Sequence, residues 1–192
     1  QSGEQALLEI GEAEATDQLD TILKDVVRSQ MVSDVPLGAF LSGGIDSSTI
    51  VALMQTQSSR PIRSFSIGFE DEALNEAEYA AAVAQHLGTD HTELYVTEKD
   101  ALDVAPQLAG VFDEPFSDPS QIPTLLLSQL TREHVTVAMS GDGGDEIFGG
   151  YNRYLLTDQL WGKVSKLPVS MRRGLAVMMT TLSPEAFNKF LG

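Results

Sequence analysis

Three hydroxyls, two glycines and one carboxylate fall within the segment Ser42-Gly43-Gly44-Ile45-Asp46-Ser47-Ser48. An apolar run over residues 35–41 precedes it, and a second run over residues 49–54 follows. That order predicts a buried strand, a tight turn and a helix. The glycines permit backbone geometry that a side chain would block, and they let main-chain N–H groups come close to a ligand. Ser42, Ser47 and Ser48 add hydroxyl donors beside a helix N-terminus, where negative charge is favoured. The chemistry is that of a phosphate cradle with an acid in its middle.

The acid, Asp46, decides which kind of cradle this is. A Walker A loop needs a lysine after its last glycine, and the chain contains no G-x-x-x-x-G-K-[ST] segment. A carboxylate among phosphates repels them unless a cation lies between. Mg²⁺ takes one or two carboxylates together with phosphate oxygens, which makes Asp46 a candidate metal ligand. The competing reading is a plain glycine turn in which Asp46 caps the helix.

A second glycine-rich acidic segment follows nearly a hundred residues later: Ser140-Gly141-Asp142-Gly143-Gly144-Asp145-Glu146-Ile147-Phe148-Gly149-Gly150-Tyr151. The first segment resembles the pyrophosphate-binding loop of the ATP pyrophosphatases. The second is similar to the acidic motif in the synthetase domain of glutamine-dependent asparagine synthetases. Ser33-Asp34-Val35-Pro36-Leu37-Gly38, Ser64-Phe65-Ser66-Ile67-Gly68-Phe69, His86-Leu87-Gly88 and Asp113-Glu114-Pro115 match that family too. The likeness covers about residues 16–155.

The resemblance implies ATP and Mg²⁺ as cofactors, and aspartate as the small carboxylate substrate. Its side-chain carboxylate would attack the α-phosphorus, release pyrophosphate and form an acyl-adenylate. Ammonia from glutamine would then displace AMP to give asparagine. On this likeness Ser42, Gly43, Gly44, Ser47 and Ser48 hold the pyrophosphate. Phe40 or Leu41, with Ile67, contact adenosine through backbone groups, while their side chains read as core. Ser140 and Gly141 match positions that contact ATP or the adenylate. Asp46 and Asp145 are the candidate Mg²⁺ ligands, with a helix N-cap as the alternative for Asp145. Both loops are thus expected to converge on one metal-bound triphosphate.

Asp142 departs from the family pattern, which commonly has glutamate as the base for incoming ammonia. It keeps the carboxylate but is one methylene shorter, and a base must come within hydrogen-bond reach of its proton. Base, metal ligand and loop brace all stay open for it. The departure also admits an amidotransferase for a different carboxylate. A third reading is a nucleotide-binding module without activity of its own. Family members begin with a glutaminase domain that has an N-terminal cysteine, and their synthetase domain continues to a lysine that faces the phosphates. Neither feature occurs in this chain, which therefore reads as a fragment not expected to be active alone.

At 192 residues the chain can bury one ordinary core. The absence of cysteine excludes a disulfide framework and a cysteine zinc site. No apolar run reaches spanning length and no basic-then-apolar leader opens the chain, so a cytoplasmic location is expected. The formal charge of −16 is uneven: residues 1–150 hold 6 basic and 26 acidic residues, and residues 151–192 hold 6 and 2. Such an acidic body argues against nucleic-acid or anionic-membrane partners, and leaves oligomerisation open.

The elements that must position the two loops follow from pattern. Residues 1–15 read as a flexible lead-in, 16–155 as the core domain and 156–192 as a helical tail split at Pro168 and Pro184. Leu19, Ile22, Leu23, Val26 and Val27 make one apolar helical stripe, read as core. Strands are expected over residues 37–41, 62–69, 91–96 and 135–139. Between them lie a helix ending near Pro61, one from an Asn75 cap to Gly88, one over residues 100–111 interrupted or shaped by Pro106, and one over residues 122–130. Residues 113–119 are a loop whose acids Asp113, Glu114 and Asp118 have either a substrate or a structural role. His86, His91 and His134 lack ligand spacing and read as structural. The tail's apolar residues are expected to pack on the sheet or on a segment outside this chain. The fold class is α/β: a Rossmann-like parallel sheet with helices on both faces, of the adenine nucleotide alpha-hydrolase type. Both acidic glycine loops then leave strand carboxyl ends, where such sheets bind ligands.

Overall fold

The computed structural model describes residues 9–69, 77–114 and 118–181. The chain divides into two compact units, Gln1–Asp142 and Gly143–Gly192. In the first, four parallel strands, β1 (Leu37–Phe40), β2 (Arg63–Phe69), β3 (Asp90–Val96) and β4 (Val137–Met139), lie in the order β3-β2-β1-β4. Successive strands step outward from β1 to β3, and then the chain returns to place β4 on the other side of β1. The crevice between β1 and β4 is the point where strand order reverses.

Helices cover both faces, as the alternation of strands and helices requires. On one face, α1 (Glu12–Gln30), α2 (Ile45–Gln57) and α3 (Ala77–Leu87) enclose Val27, Ala39, Leu41, Val51, Met54, Ala80 and Ala84. On the other, α4 (Glu98–Val104) and α6 (Gln121–Thr131) pack Val104 and Leu126 against Val96, Ile67 and Phe69. The short α5 (Leu108–Val111) follows a 3₁₀ turn, Ala105–Gln107. Proline has no N–H to continue an α-helix. Pro106 therefore interrupts the helical stretch expected over residues 100–111, as anticipated, dividing it into α4, the turn and α5. That helix also starts earlier than expected, at Glu98. The Thr97 hydroxyl accepts the Asp100 N–H at 3.2 Å, and the Thr97 N–H donates to Asp100 Oδ2 at 2.8 Å. This reciprocal capping box fixes the start.

Two other expectations shift. Strand β4 begins at Val137, because the Val135 N–H still bonds to Thr131 O at 3.0 Å and so belongs to the turn after α6. The apolar stripe of α1 is only half used. Val27 is buried and Leu23 packs on the core, but Leu19, Ile22 and Val26 remain 37%, 57% and 44% exposed. The helix also begins at Glu12, inside the stretch read as a lead-in. Gly88 ends α3 in the left-handed region (φ +70°), and its N–H and that of Thr89 both bond to Ala84 O, as a glycine C-cap should. The Asn75 cap lies outside the described residues.

A half-buried polar chain joins β2 to β3. The ring of His91 bonds through Nδ1 to Ser64 Oγ at 2.8 Å and through Nε2 to Ser66 Oγ at 3.2 Å, and Ser64 Oγ meets Thr89 Oγ1 at 2.8 Å. Removal from water lowers the His91 pKa from its ordinary 6.5, against the opposing pull of Glu93 and of the Ser64 hydrogen bond. A histidine depressed in the folded state binds fewer protons there than in the unfolded chain. Its contribution is complete above the ordinary value and is lost as pH falls below it toward the folded pKa. The thermal midpoint is therefore expected to drop between about pH 7 and pH 5. His91→Gln, which keeps hydrogen-bonding groups without a proton to gain, should flatten that slope in thermal melts at a series of pH values. An unchanged slope would remove His91 from the account.

Candidate functional site

Strand β1 hands the chain directly to the first loop. The Leu41 N–H donates to Phe65 O at 2.8 Å, extending the ladder by one bond, and the Leu41 side chain is buried. Phe40 is partly buried, and Ile67 packs into the second core cluster. As expected, the Leu41 and Ile67 side chains belong to the core. Gly43 then turns through the left-handed region (φ +82°). A Cβ there would lie 2.7 Å from Tyr79 Cβ and 2.8 Å from the Ala80 nitrogen, so both conformation and space demand glycine. The start of α3 thus forms the floor of the loop, a contribution of Tyr79 and Ala80 that no local sequence pattern signals.

Gly44 is the N-cap of α2, in extended conformation and without a side-chain capping bond. Asp46 lies inside the first turn and does not cap, which disposes of the helix-cap reading. The hydroxyls divide their work. Ser47 is buried: its Oγ accepts the Ser42 N–H at 3.2 Å, donates to Gly44 O at 3.3 Å and meets Ser42 Oγ at 2.9 Å. Ser42 Oγ also accepts the Gly44 N–H at 3.3 Å. Ser42 and Ser47 therefore brace each other across the turn. Ser48 Oγ is buried and has no hydrogen-bond partner among the described residues. Buried hydroxyls are rarely left unpaired, because losing water without replacement is unfavourable. The early N–H groups of α2, which a helix cannot satisfy itself, add donors at the same end. An uncapped helix start with an orphaned hydroxyl is an arrangement that accepts an anion.

The second loop leaves β4 at the same level of the sheet, since Ala39 pairs with Met139. Ser140 Oγ donates to Asp142 Oδ2 at 3.0 Å and accepts the Asp142 N–H at 3.4 Å, so the Asp142 carboxylate is held back on its own loop while remaining exposed. Gly141 lies against α2. A Cβ on it would stand 2.6 Å from the Ser47 nitrogen, 2.8 Å from the Asp46 carbonyl carbon and 3.0 Å from Ser47 Cα. The backbone of the second loop therefore touches the first turn of the helix that the first loop begins. Residues 42–48 and 140–142 are brought together at the crevice between β1 and β4.

Asp145 belongs to the second unit. There Gly143 (φ +92°) and Gly149 (φ +69°) bracket a single helical turn, α7 (Gly144–Phe148), which sequence reasoning read as loop. Gly143 is its N-cap, so Asp145 does not cap. The Asp145 carboxylate occupies the space a Cβ on Gly150 would need, and Asp145 O accepts the Gly150 N–H at 3.0 Å. Tyr151 donates its hydroxyl to Glu146; that bond lowers the Glu146 pKa and raises that of Tyr151. The helices that follow, α8 (Asn152–Val164) and α9 (Val169–Thr181), break near Pro168 as expected. Helix α8 buries no residue, and Leu155, Leu156, Leu160 and Trp161 are exposed. Pro184 lies outside the described residues.

Other candidates resolve locally. Asp118 accepts the N–H and hydroxyl of Ser120 at 2.8 and 2.7 Å, which lowers its pKa and assigns it to the turn before α6. Asp113 and Glu114 are exposed, and Pro115 lies outside the described residues. The His134 ring packs on Phe65 with centroids 5.5 Å apart. Among the described residues, no group of three or more His, Asp or Glu side chains is placed to hold a metal ion. None of the described helices is long and apolar enough to cross a membrane.

The chain is 41% identical over 130 residues to an asparagine synthetase [glutamine-hydrolyzing] of Bacillus subtilis, covering 68% of this chain and 20% of that protein. It is 31% identical over 151 residues to asparagine synthetase B of Escherichia coli, covering 70% and 27%. The chain thus spans about a quarter of the length of these curated relatives, or less. Among solved structures, an NMN synthetase from Francisella tularensis shares 16% identity at a TM-score of 0.47, covering 74% of this chain and 59% of that one. The family model described as asparagine synthase matches residues 18–190, nearly the whole length, and the chain belongs to that family.

Proposed function

We propose that this chain is the nucleotide-binding part of an ATP-dependent, amide-forming ligase. The observation that carries the reading is the contact of Gly141 with the first turn of α2, the turn that also holds Ser48, whose hydroxyl has no partner among the described residues. In this reading the early N–H groups of α2 and the Ser48 hydroxyl hold the pyrophosphate part of ATP, while Ser42 and Ser47 keep the turn in shape. Gly43 and Gly44 let the backbone approach, Phe40, Leu41 and Ile67 offer backbone groups to the nucleoside, and Ser140 and Gly141 close the site from the β4 side.

The main obstacle is repulsion. A carboxylate must approach a polyphosphate in a chain with a net charge of −16. Bound Mg²⁺ would neutralise phosphate charge, and Asp46 and Asp145 are the residues proposed to hold it. Aspartate is the proposed acceptor, activated at its side-chain carboxylate, with ammonia from glutamine as the nitrogen source and AMP and pyrophosphate released. Asp142 is the proposed base for ammonia. Its bond to Ser140 favours a second reading in which it braces the loop and the acceptor is a different carboxylate.

Three outcomes are expected. Ser47→Ala should lower stability by about 1 kcal/mol through loss of the turn's brace, while Ser48→Ala should change it by less than about 0.5 kcal/mol. Chemical denaturation checks both. In calorimetry with Mg·ATP, Ser48→Ala should weaken binding about tenfold, and Gly141→Ala should weaken it more, because the added methyl meets backbone rather than a movable side chain. Binding unchanged in Gly141→Ala would separate the second loop from the nucleotide. Aspartate-dependent exchange of pyrophosphate into ATP, measured in the full-length protein that carries this segment, should be lost in Asp46→Asn. Exchange stimulated by another carboxylic acid but not by aspartate would favour the second reading.

A further inference from the structure

The opposite end of the sheet holds a second concavity. Arg63 and Asp90 open β2 and β3, and with Arg60, Pro61, Gly88 and Thr89 they line a cleft of about 590 Å³. Strands of this length set it roughly 20 Å from the glycine loops. Its lining is unusual for this unit. Residues 1–142 contain six Lys and Arg side chains, and Lys24, Arg28 and Lys99 each pair with an aspartate on their own helix. Of the remaining three, Arg60 and Arg63 both stand in the cleft.

The chemistry available there is narrow. Arg63 Nη1 donates to His134 O at 2.9 Å and Nε lies 4.0 Å from Asp90 Oδ2, which steadies the guanidinium and leaves it further N–H groups. The rim backbone offers none, because the N–H groups of Gly88 and Thr89 bond to Ala84 O and that of Asp90 bonds to Ile62 O. The Thr89 hydroxyl is engaged with Ser64. Two arginines and one aspartate therefore line the site. A Cβ at Gly88 would meet no heavy atom of the described residues within 4 Å, so they leave that side of the rim open.

A bare anion fits this lining poorly. It would meet the Asp90 carboxylate and the field of a unit holding six basic and 24 acidic residues. It would also face the C-terminal ends of α2 and α3, which stop three residues before Arg60 and one before Gly88 and favour positive charge. A bare cation would meet two arginines. A ligand with both charges and no net charge suffers neither penalty: its carboxylate suits the guanidinium fork and its ammonium suits Asp90 and the helix ends. We propose that this cleft binds a free α-amino acid by its zwitterionic head, separately from the glycine loops.

The test is a titration of the chain with glycine, followed by two-dimensional amide NMR. The Gly88, Thr89 and Asp90 amides should shift saturably while those of residues 42–47 stay in place. Arg60→Gln and Asp90→Asn, both exposed and so able to fold, should each weaken glycine binding at least about fivefold. Acetate and methylamine, carrying one charge each, should bind at least about fivefold more weakly than glycine. The proposal is overturned if the rim amides do not saturate, if the response is confined to residues 42–47, if acetate matches glycine, or if both variants bind like the parent. None of these readouts depends on nucleotide binding, so the ligase reading and this one fail independently.

Discussion

The close approach of Gly141 to the first turn of α2 is the constraint on which the site depends. The separation is so small that a single methyl on Gly141 would overlap the Ser47 nitrogen. Everything upstream serves that approach. The parallel pairing of β1 with β4 sets the two loops at one level, and the reversal of strand order leaves a crevice between them. Gly43 lets the first loop lie flat on the start of α3, which fixes where α2 begins. Backbone against backbone leaves few adjustable parts, so the donors of α2 are held in place before any ligand arrives. Preorganised donors of this kind are more effective than ones that must be gathered.

Electrostatics explains why such rigidity matters here. The chain carries more than twice as many acids as bases. Its overall field therefore opposes an anion, and attraction must come from groups close enough for local terms to dominate. An uncapped helix start and an unpaired hydroxyl supply that attraction without adding a formal charge. The same bias shapes the other end of the sheet, where helix C-termini and Asp90 accompany the two arginines.

Much of this was legible in sequence, for identifiable reasons. The strands around Gly38 and Phe65 and the C-cap at Gly88 appeared where periodicity and glycine placement put them, because each signal is local. The misses came from competition at element ends and from tertiary contacts. Val135 reads as strand but is held by a turn bond to Thr131. The Thr97–Asp100 box was hidden by an aspartate in the place usually taken by glutamate. Ile22 and Val26 fit a core stripe, yet α1 meets the core along a narrower line through Leu23 and Val27. The division of labour between Ser47 and Ser48 could not be read from two adjacent serines, since it depends on which hydroxyl the turn folds over.

The central claim is that two distant glycine loops form one anion-accepting site. Amide shifts during titration with Mg²⁺-pyrophosphate test it most directly. The account predicts that Ile45, Asp46 and Ser47 respond together with Ser140, Gly141 and Asp142, all along one saturation curve. A response confined to the first loop, or two curves with separate midpoints, would contradict it.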